Sequence, residues 1–243
     1  MKNEEVTLIL AGGNLSLPFL ENVIKEHAGA TIIAADRGLE ACMKLQIEPD
    51  YVIGDFDSLD EQVKDAFLAD RRNVTKLNPI KDDTDSEAAL HLAFEKTKGD
   101  IFLLGGTGTR LDHVLGNIQS LYLALEKGVD CEILDEHNRI RLIKGEYRIK
   151  KAEQYGKYVS LIPFTTDVNG VTLEGLKYPV QDQHFTVQGS GGFAVQLAFD
   201  GGKVGDAVFF WDDHQLSPGG EAVGFQRPQH RGVAGGRHIG DGA

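Results

Sequence analysis

Apolar residues fall along the first half of the chain in two alternating rhythms. Short apolar runs stand at 6–11, 31–35, 51–53, 101–104 and 129–134, and the one at 101–104 is uninterrupted, as in a strand buried on both faces. Between them, apolar positions recur every three or four residues, the period of an amphipathic helix. Phe19, Leu20, Val23 and Ile24 form one such stripe, with Ser16 as its candidate cap and Pro18 in its first turn. Leu39, Cys42, Met43 and Leu45 form a second, and Val63, Ala66 and Phe67 a third. Thr84 and Glu87 spell a capping box, which predicts a helix from Asp85 to about Thr97. The most regular stripe is Val114, Leu115, Ile118, Leu121, Tyr122 and Leu125, stopped by Gly128. Strand and helix in alternation predict a parallel sheet covered by helices.

Past residue 138 the rhythm changes. Short alternating runs at 139–143, 147–149, 158–163 and 171–173 are separated by Gly, Pro and Asn turns, the pattern of an antiparallel sandwich or barrel. The expected fold is therefore a parallel-sheet α/β domain over 1–137, followed by an all-β sandwich domain over 138–218. From Gly219 onward the text is glycine-rich and has no sustained period, which predicts a disordered tail over 219–243.

Composition narrows this only a little. With 243 residues, 41% of them hydrophobic and 26% charged, the chain has the make-up of a soluble globular protein. A net charge of −12 speaks against general binding to nucleic acid or to anionic membranes, both of which attract basic surfaces. Cys42 and Cys131 stand in separate apolar settings and read as buried thiols, which fits a reducing compartment. The run at 6–11 is too short for a signal peptide or a membrane span, so the expected location is cytoplasmic.

The chemistry is concentrated where predicted strands end. Gly54-Asp55-Phe56-Asp57-Ser58 and Lys81-Asp82-Asp83-Thr84-Asp85 each follow an apolar run, at the edge where an open α/β sheet places its ligands. On an extended segment Asp55 and Asp57 project to the same side and could grip one metal. The plainer alternative is a solvated turn in which Asp57 or Ser58 caps a helix. Asp36 ends a strand at the same rim, and carboxylates gathered there repel one another unless a cation neutralises them. Hard oxygen ligands suit Mg²⁺, which commonly shares itself with phosphates. Asp82 and Asp85 are candidate site residues, Asp83 reads as exposed, and Lys81 as either a phosphate contact or a solvated counter-charge.

The turn Gly105-Gly106-Thr107-Gly108-Thr109-Arg110 lacks the third glycine of a dinucleotide fingerprint and the Lys-Ser/Thr of a P-loop. As a tight strand-to-helix turn it can still offer backbone N–H groups to phosphate, with Gly106 and Thr107 at its centre. Arg110 suits phosphate oxygens, or else an ion pair with Asp112. His113 and Asn117 lie four apart on one helix face, as polar site contacts or as packing groups.

Taken together, Ala35-Asp36-Arg37-Gly38, the two acidic stretches and Gly105-Gly106-Thr107-Gly108-Thr109-Arg110-Leu111-Asp112-His113 resemble bacterial thiamine pyrophosphokinases, through Gln181-Asp182-Gln183-His184-Phe185 to about Ser190. The resemblance implies an ATP-binding α/β domain, a β-sandwich that binds thiamine and dimerises, and a homodimer with its sites between subunits. It also implies the Mg²⁺-assisted reaction of ATP with thiamine to give AMP and thiamine diphosphate. Asp36, Asp55, Asp57 and Asp85 would surround metal and pyrophosphate, with Asp55, Asp57 and Asp85 as metal ligands and catalytic groups. Asp82, Thr84, Gly106, Thr107, Arg110 and Asp112 would complete the nucleotide and thiamine surroundings.

After Ser190 the text departs from the family, which carries a Ser-Asn pair following Gly-Ser. Here Gly191-Gly192-Phe193-Ala194-Val195 reads like a frame shift near 190–192, and the expectation is a sandwich without its last strands, an unpaired edge and a weakened thiamine site. Two rival readings remain. An aspartate-nucleophile phosphatase of the haloacid-dehalogenase type would use Asp55, but it normally has Thr or Val where Leu59 stands, and it leaves 105–113 unexplained. A non-catalytic nucleotide- or thiamine-binding protein is the other.

Overall fold

The structure is a computed structural model that describes residues 3–54, 74–76, 84–149, 155–156, 158–174, 179–187, 193–196 and 204–212. Its first half follows the predicted alternation: β1 (Asn3–Leu10), α1 (Leu17–Glu26), β2 (Ala30–Ala35), α2 (Gly38–Lys44), β3 (Tyr51–Gly54), β4 (Val74–Lys76), α3 (Asp85–Lys96), β5 (Asp100–Leu104), α4 (Leu111–Lys127) and β6 (Cys131–Leu134). The helix predicted around Val63, Ala66 and Phe67 lies outside the described residues. These strands pair in parallel in the order β6-β5-β1-β2-β3-β4.

Alternate residues of each strand feed opposite cores. Leu8, Leu10, Ala34, Val52 and Leu104 pack with Leu20, Val23, Leu39 and Cys42 of α1 and α2. Ile9, Ile33, Ile53, Ile101 and Ile133 pack on the other face with Ala89, Leu90 and Ala93 of α3 and with Ile118 and Leu121 of α4. From β1 the chain winds one way to β4, then returns to β5 and β6 on β1's other side. The boundary between β1 and β5 is thus a topological switch point, where such sheets open a ligand crevice at their carboxyl edge.

The second half is β7 (Arg139–Gly145), β8 (Tyr158–Pro163), β9 (Asp167–Leu173), β10 (Val180–Thr186), β11 (Phe193–Gln196) and β12 (Val204–Asp212). Two layers form, as the alternating pattern predicted. β7, β12, β8 and β11 continue the large sheet with antiparallel pairing, and β9 pairs with β10 in a smaller sheet. Ile143, Val159, Leu161, Val168, Val171, Leu173 and Phe185 fill the core between the layers. The large sheet runs unbroken across residues 134–139, because β7 turns back to pair with β6. At that seam the buried Glu132 accepts from Arg139 Nε at 2.5 Å and pairs with Arg141 Nη1 at 2.9 Å.

One expectation is corrected here. The chain past Ser190 was expected to leave the sandwich without its last strands, yet β12 seats itself between β7 and β8 and pairs with both. Val208, Phe209, Phe210 and Trp211 give that segment the β-branched and aromatic content that strands favour. The tail predicted over 219–243 lies outside the described residues. Cys42 and Cys131 are buried free thiols, and burial pushes the Cys131 thiol well above the usual range, which leaves it protonated and inert. Among the described residues no helix is long and apolar enough to cross a membrane.

Candidate functional site

The carboxyl edge of the parallel strands is knitted together by backbone. Ala11 N donates to Leu104 O at 2.8 Å, Gly13 N to Gly105 O at 3.0 Å and Asn14 N to Thr107 O at 2.7 Å. The turns after β1 and β5 therefore lie in contact. A side chain at Gly13 would put its Cβ 2.1 Å from Thr107 O, and one at Gly105 would sit 2.5 Å from Ala11 O at a φ of +71°. Only glycine permits that approach.

Asp36 follows β2 in the left-handed region, at a φ of +46°, a conformation that aspartate tolerates better than most residues. Its N–H donates to Ile53 O at 2.9 Å, which ties it to the strand that leads through Gly54 into Asp55. The half-buried Asp36 is thus set beside the end of β3 by strand pairing.

Asp85 opens α3. Thr84 is the N-cap, its Oγ1 accepting from Glu87 N at 3.2 Å, as the capping box predicted. A helix between parallel strands starts at their carboxyl edge, so Asp85 stands on the same rim as Asp36, and the first turn of the helix favours its negative charge. The core contacts of Ala89 and Ala93 with Ile33 and Ile53 hold α3 over β2 and β3.

The remaining predicted residues divide. The Thr107 hydroxyl donates to Asp135 Oδ2 at 2.8 Å. Arg110 and Asp112 form the ion-pair alternative, with Nη2 to Oδ2 at 2.6 Å and both side chains about two-thirds exposed (68% and 65%). The Arg110 hydrogen bond holds the Asp112 carboxyl below its ordinary range. His113 is exposed beside Asp112, whereas Asn117 is buried and donates to Gly106 O at 2.8 Å. Asp55, Asp57 and Asp82, with Lys81 and Asp83, lie outside the described residues. Among the described residues no group of three or more His, Cys, Asp or Glu side chains is arranged to hold a metal.

Asp135 is a residue the sequence reading missed. Its Oδ1 accepts from His137 N at 2.8 Å and Asn138 N at 2.7 Å, and its carbonyl accepts from the Tyr155 hydroxyl. Burial, and then the Asp135 charge, push the Tyr155 phenol up, so it remains a donor. The available signal was Asp135-Glu136-His137-Asn138 directly after a strand, a sequence suited to an Asx turn.

A family model described as the thiamin pyrophosphokinase catalytic domain matches residues 23–133, and one described as the thiamin pyrophosphokinase vitamin B1 binding domain matches residues 146–192. The chain belongs to the thiamine pyrophosphokinase family. Thiamine pyrophosphokinase of Bacillus subtilis (strain 168) is 38% identical over 188 residues, which span 74% of this chain and 83% of that protein. The crystal structure of the Bacillus subtilis thiamine pyrophosphokinase superposes with a TM-score of 0.73 and 31% identity, covering 86% of this chain and 100% of the other. That of the Geobacillus thermodenitrificans thiamin pyrophosphokinase gives 0.73 at 28% identity, covering 86% and 98%. The catalytic-domain match spans both Leu59 and residues 105–113, and the phosphatase reading is not favoured. The second family match ends at residue 192.

Proposed function

We propose that this chain transfers the pyrophosphoryl group of ATP to the hydroxyl of thiamine, giving thiamine diphosphate and AMP. The observation that carries the reading is the ordered pair of family matches, at 23–133 and 146–192, on a fold whose carboxyl edge carries Asp36 and Asp85. The thiamine hydroxyl oxygen attacks the β-phosphorus of ATP in line with the α–β bridging oxygen, whose bond to that phosphorus breaks to release AMP. One carboxylate among Asp55, Asp57 and Asp85 takes the hydroxyl proton. The acidic rim also suits thiamine's cationic thiazolium. Arg110, with the backbone of Gly106 and Thr107, faces the phosphates of ATP, while Asp36, Asp82, Thr84 and Asp112 complete the pocket.

The donor set fits Mg²⁺ in kind, being hard carboxylate oxygens at the end of parallel strands. Asp55, Asp57 and Asp85 would hold it, and the ion would offset charge on the transferred group. The α/β half serves ATP, and the half after residue 138 serves thiamine and the contact with a second copy.

With sites between subunits the contact would also reach the head of α4, where the apolar side chains Leu111 (73%) and Leu115 (61%) stand exposed beside Arg110 and Asp112. Sedimentation should give one species at twice the chain mass; a monomer at assay concentration would rule the dimer out. The activity itself is checked by following AMP in purified protein. AMP should appear only when ATP, Mg²⁺ and thiamine are all present, and chelation should stop it. Phosphate release from ATP without thiamine would instead favour a phosphatase.

A further inference from the structure

Three consecutive carbonyls of the 105–110 turn are each claimed by a different donor. Gly105 O accepts from Gly13 N, Gly106 O from Asn117 Nδ2 and Thr107 O from Asn14 N. In a trans peptide the C=O and the following N–H point in opposite directions, and no cis bond occurs among the described residues. Fixing those carbonyls therefore fixes the N–H groups that follow them, with those of Gly106 and Gly108 turned away from the turn after β1 and that of Thr107 turned away from Asn117. Successive N–H groups aimed together form an anion-binding concavity.

Two side chains from elsewhere in the fold hold this turn, Asn117 through the Gly106 carbonyl and Asp135 through the Thr107 hydroxyl. Asn117 is buried on a helix face otherwise made of Ile118, Leu121 and Ala124. An amide in such a place needs a partner, and Gly106 O is the one it has. Asp135 grips the turn from the other side through Thr107 Oγ1, and is itself braced by His137 N, Asn138 N and Asn138 Nδ2. Both reach across the fold, from α4 and from the β6–β7 turn, to one short loop.

We infer that Asn117 and Asp135 are positioning residues for the pyrophosphate donor: they set the peptide planes of residues 105–108 so that three N–H groups face the ATP phosphates. This deepens the proposed function and rests on its reading of the 105–110 turn as phosphate-binding. Neither side chain touches substrate. Their effect is felt in ATP affinity and leaves thiamine affinity alone.

The test measures ATP–Mg²⁺ binding by calorimetry, KM for each substrate and melting temperature. Asn117→Ala and Asp135→Ala should each weaken ATP binding about tenfold, with KM for thiamine unchanged. Asp135→Asn keeps an acceptor toward the turn and should recover most of the affinity. Thr107→Val removes only the hydroxyl that reaches Asp135 and serves in place of Asp135→Ala if that variant does not fold. Gly108→Val places bulk in the turn where a Cβ has ordinary room, its nearest neighbour being Asn14 N at 3.5 Å. If Gly108→Val blocks ATP while Asn117→Ala and the Asp135 or Thr107 variants bind it normally, the positioning inference is wrong. If Gly108→Val also binds ATP normally, the phosphate-turn reading itself has failed. Equal losses for ATP and thiamine that track melting temperature would mean a merely structural role, and would also overturn the inference.

Discussion

Asp85→Asn should lower thiamine diphosphate formation by about 10²- to 10³-fold, with a melting temperature close to that of the unchanged chain. The residue occupies the first turn of α3, half-buried, on the rim that also carries Asp36. Asparagine has the same shape, and the Thr84 cap that starts the helix does not involve the Asp85 carboxylate. Loss of the favourable charge at the helix N-terminus costs only about 0.3–1 kcal/mol. The large effect falls on chemistry, because a neutral amide neither accepts the hydroxyl proton nor balances a cation beside the pyrophosphate. Glu87→Gln supplies the charge-matched control: it lies in the same first turn and should keep its rate within about twofold. Asp57→Asn should behave like Asp85→Asn in the same coupled assay. Equal rates for Asp85→Asn and the unchanged chain would remove Asp85 from the catalytic group.

What the sequence disclosed, and what it concealed, follows from the range of the interactions. Buried parallel strands announce themselves by uninterrupted apolar runs, so the core of the α/β half was readable. Local hydrogen bonds were readable too, since Thr84 does cap toward Glu87, and Gly128 does end α4 in the left-handed conformation. Periodicity overstated burial at one place: Leu115 and Tyr122 belong to the regular stripe of α4 but are exposed, because the helix turns Ile118, Leu121 and Ala124 to the sheet, with Val114 and Leu125 partly buried beside them. Ser16 stands at the N-cap of α1, yet its hydroxyl donates to Glu136 Oε1, a partner 120 positions away. No local pattern announces such a bond. The acidic motifs of the proposed site were spelled out in the text, and Asn117 stood out as a polar contact or packing group, whereas Asp135 did not, since it meets Thr107 across 28 residues. β12 was overlooked for a different reason: its aromatic run is embedded in glycine-rich text that matches no neighbouring period.

The largest stability effect is expected at a residue with no chemical role. Gly38 begins α2, and a Cβ there would lie 1.8 Å from Leu10 O, 2.5 Å from the Leu10 carbonyl carbon and 3.2 Å from Ala11 N. Leu10 is fully buried, in register with Ala34 on one side and Leu104 on the other, so its backbone cannot yield. In Gly38→Ala the helix must move instead, drawing Leu39 and Cys42 out of the core they share with Leu10 and Ala34. Forced overpacking of this kind costs about 3 kcal/mol, which lowers the melting temperature of a chain this size by roughly 10 °C. A general dislike of alanine for glycine is separated out by Gly116→Ala in α4, where nothing lies within 4 Å of the added Cβ. That substitution should raise stability by about 0.5–1 kcal/mol. The opposite signs are the point of the comparison. The strand that Gly38 crowds ends in the very turn whose Gly13 and Asn14 hold residues 105 and 107, so Gly38→Ala should also weaken ATP binding at temperatures where the fold survives. A Gly38→Ala chain that melts with the unchanged one would mean that α2 does not approach β1 this closely, and the packing of the whole carboxyl edge would have to be redrawn.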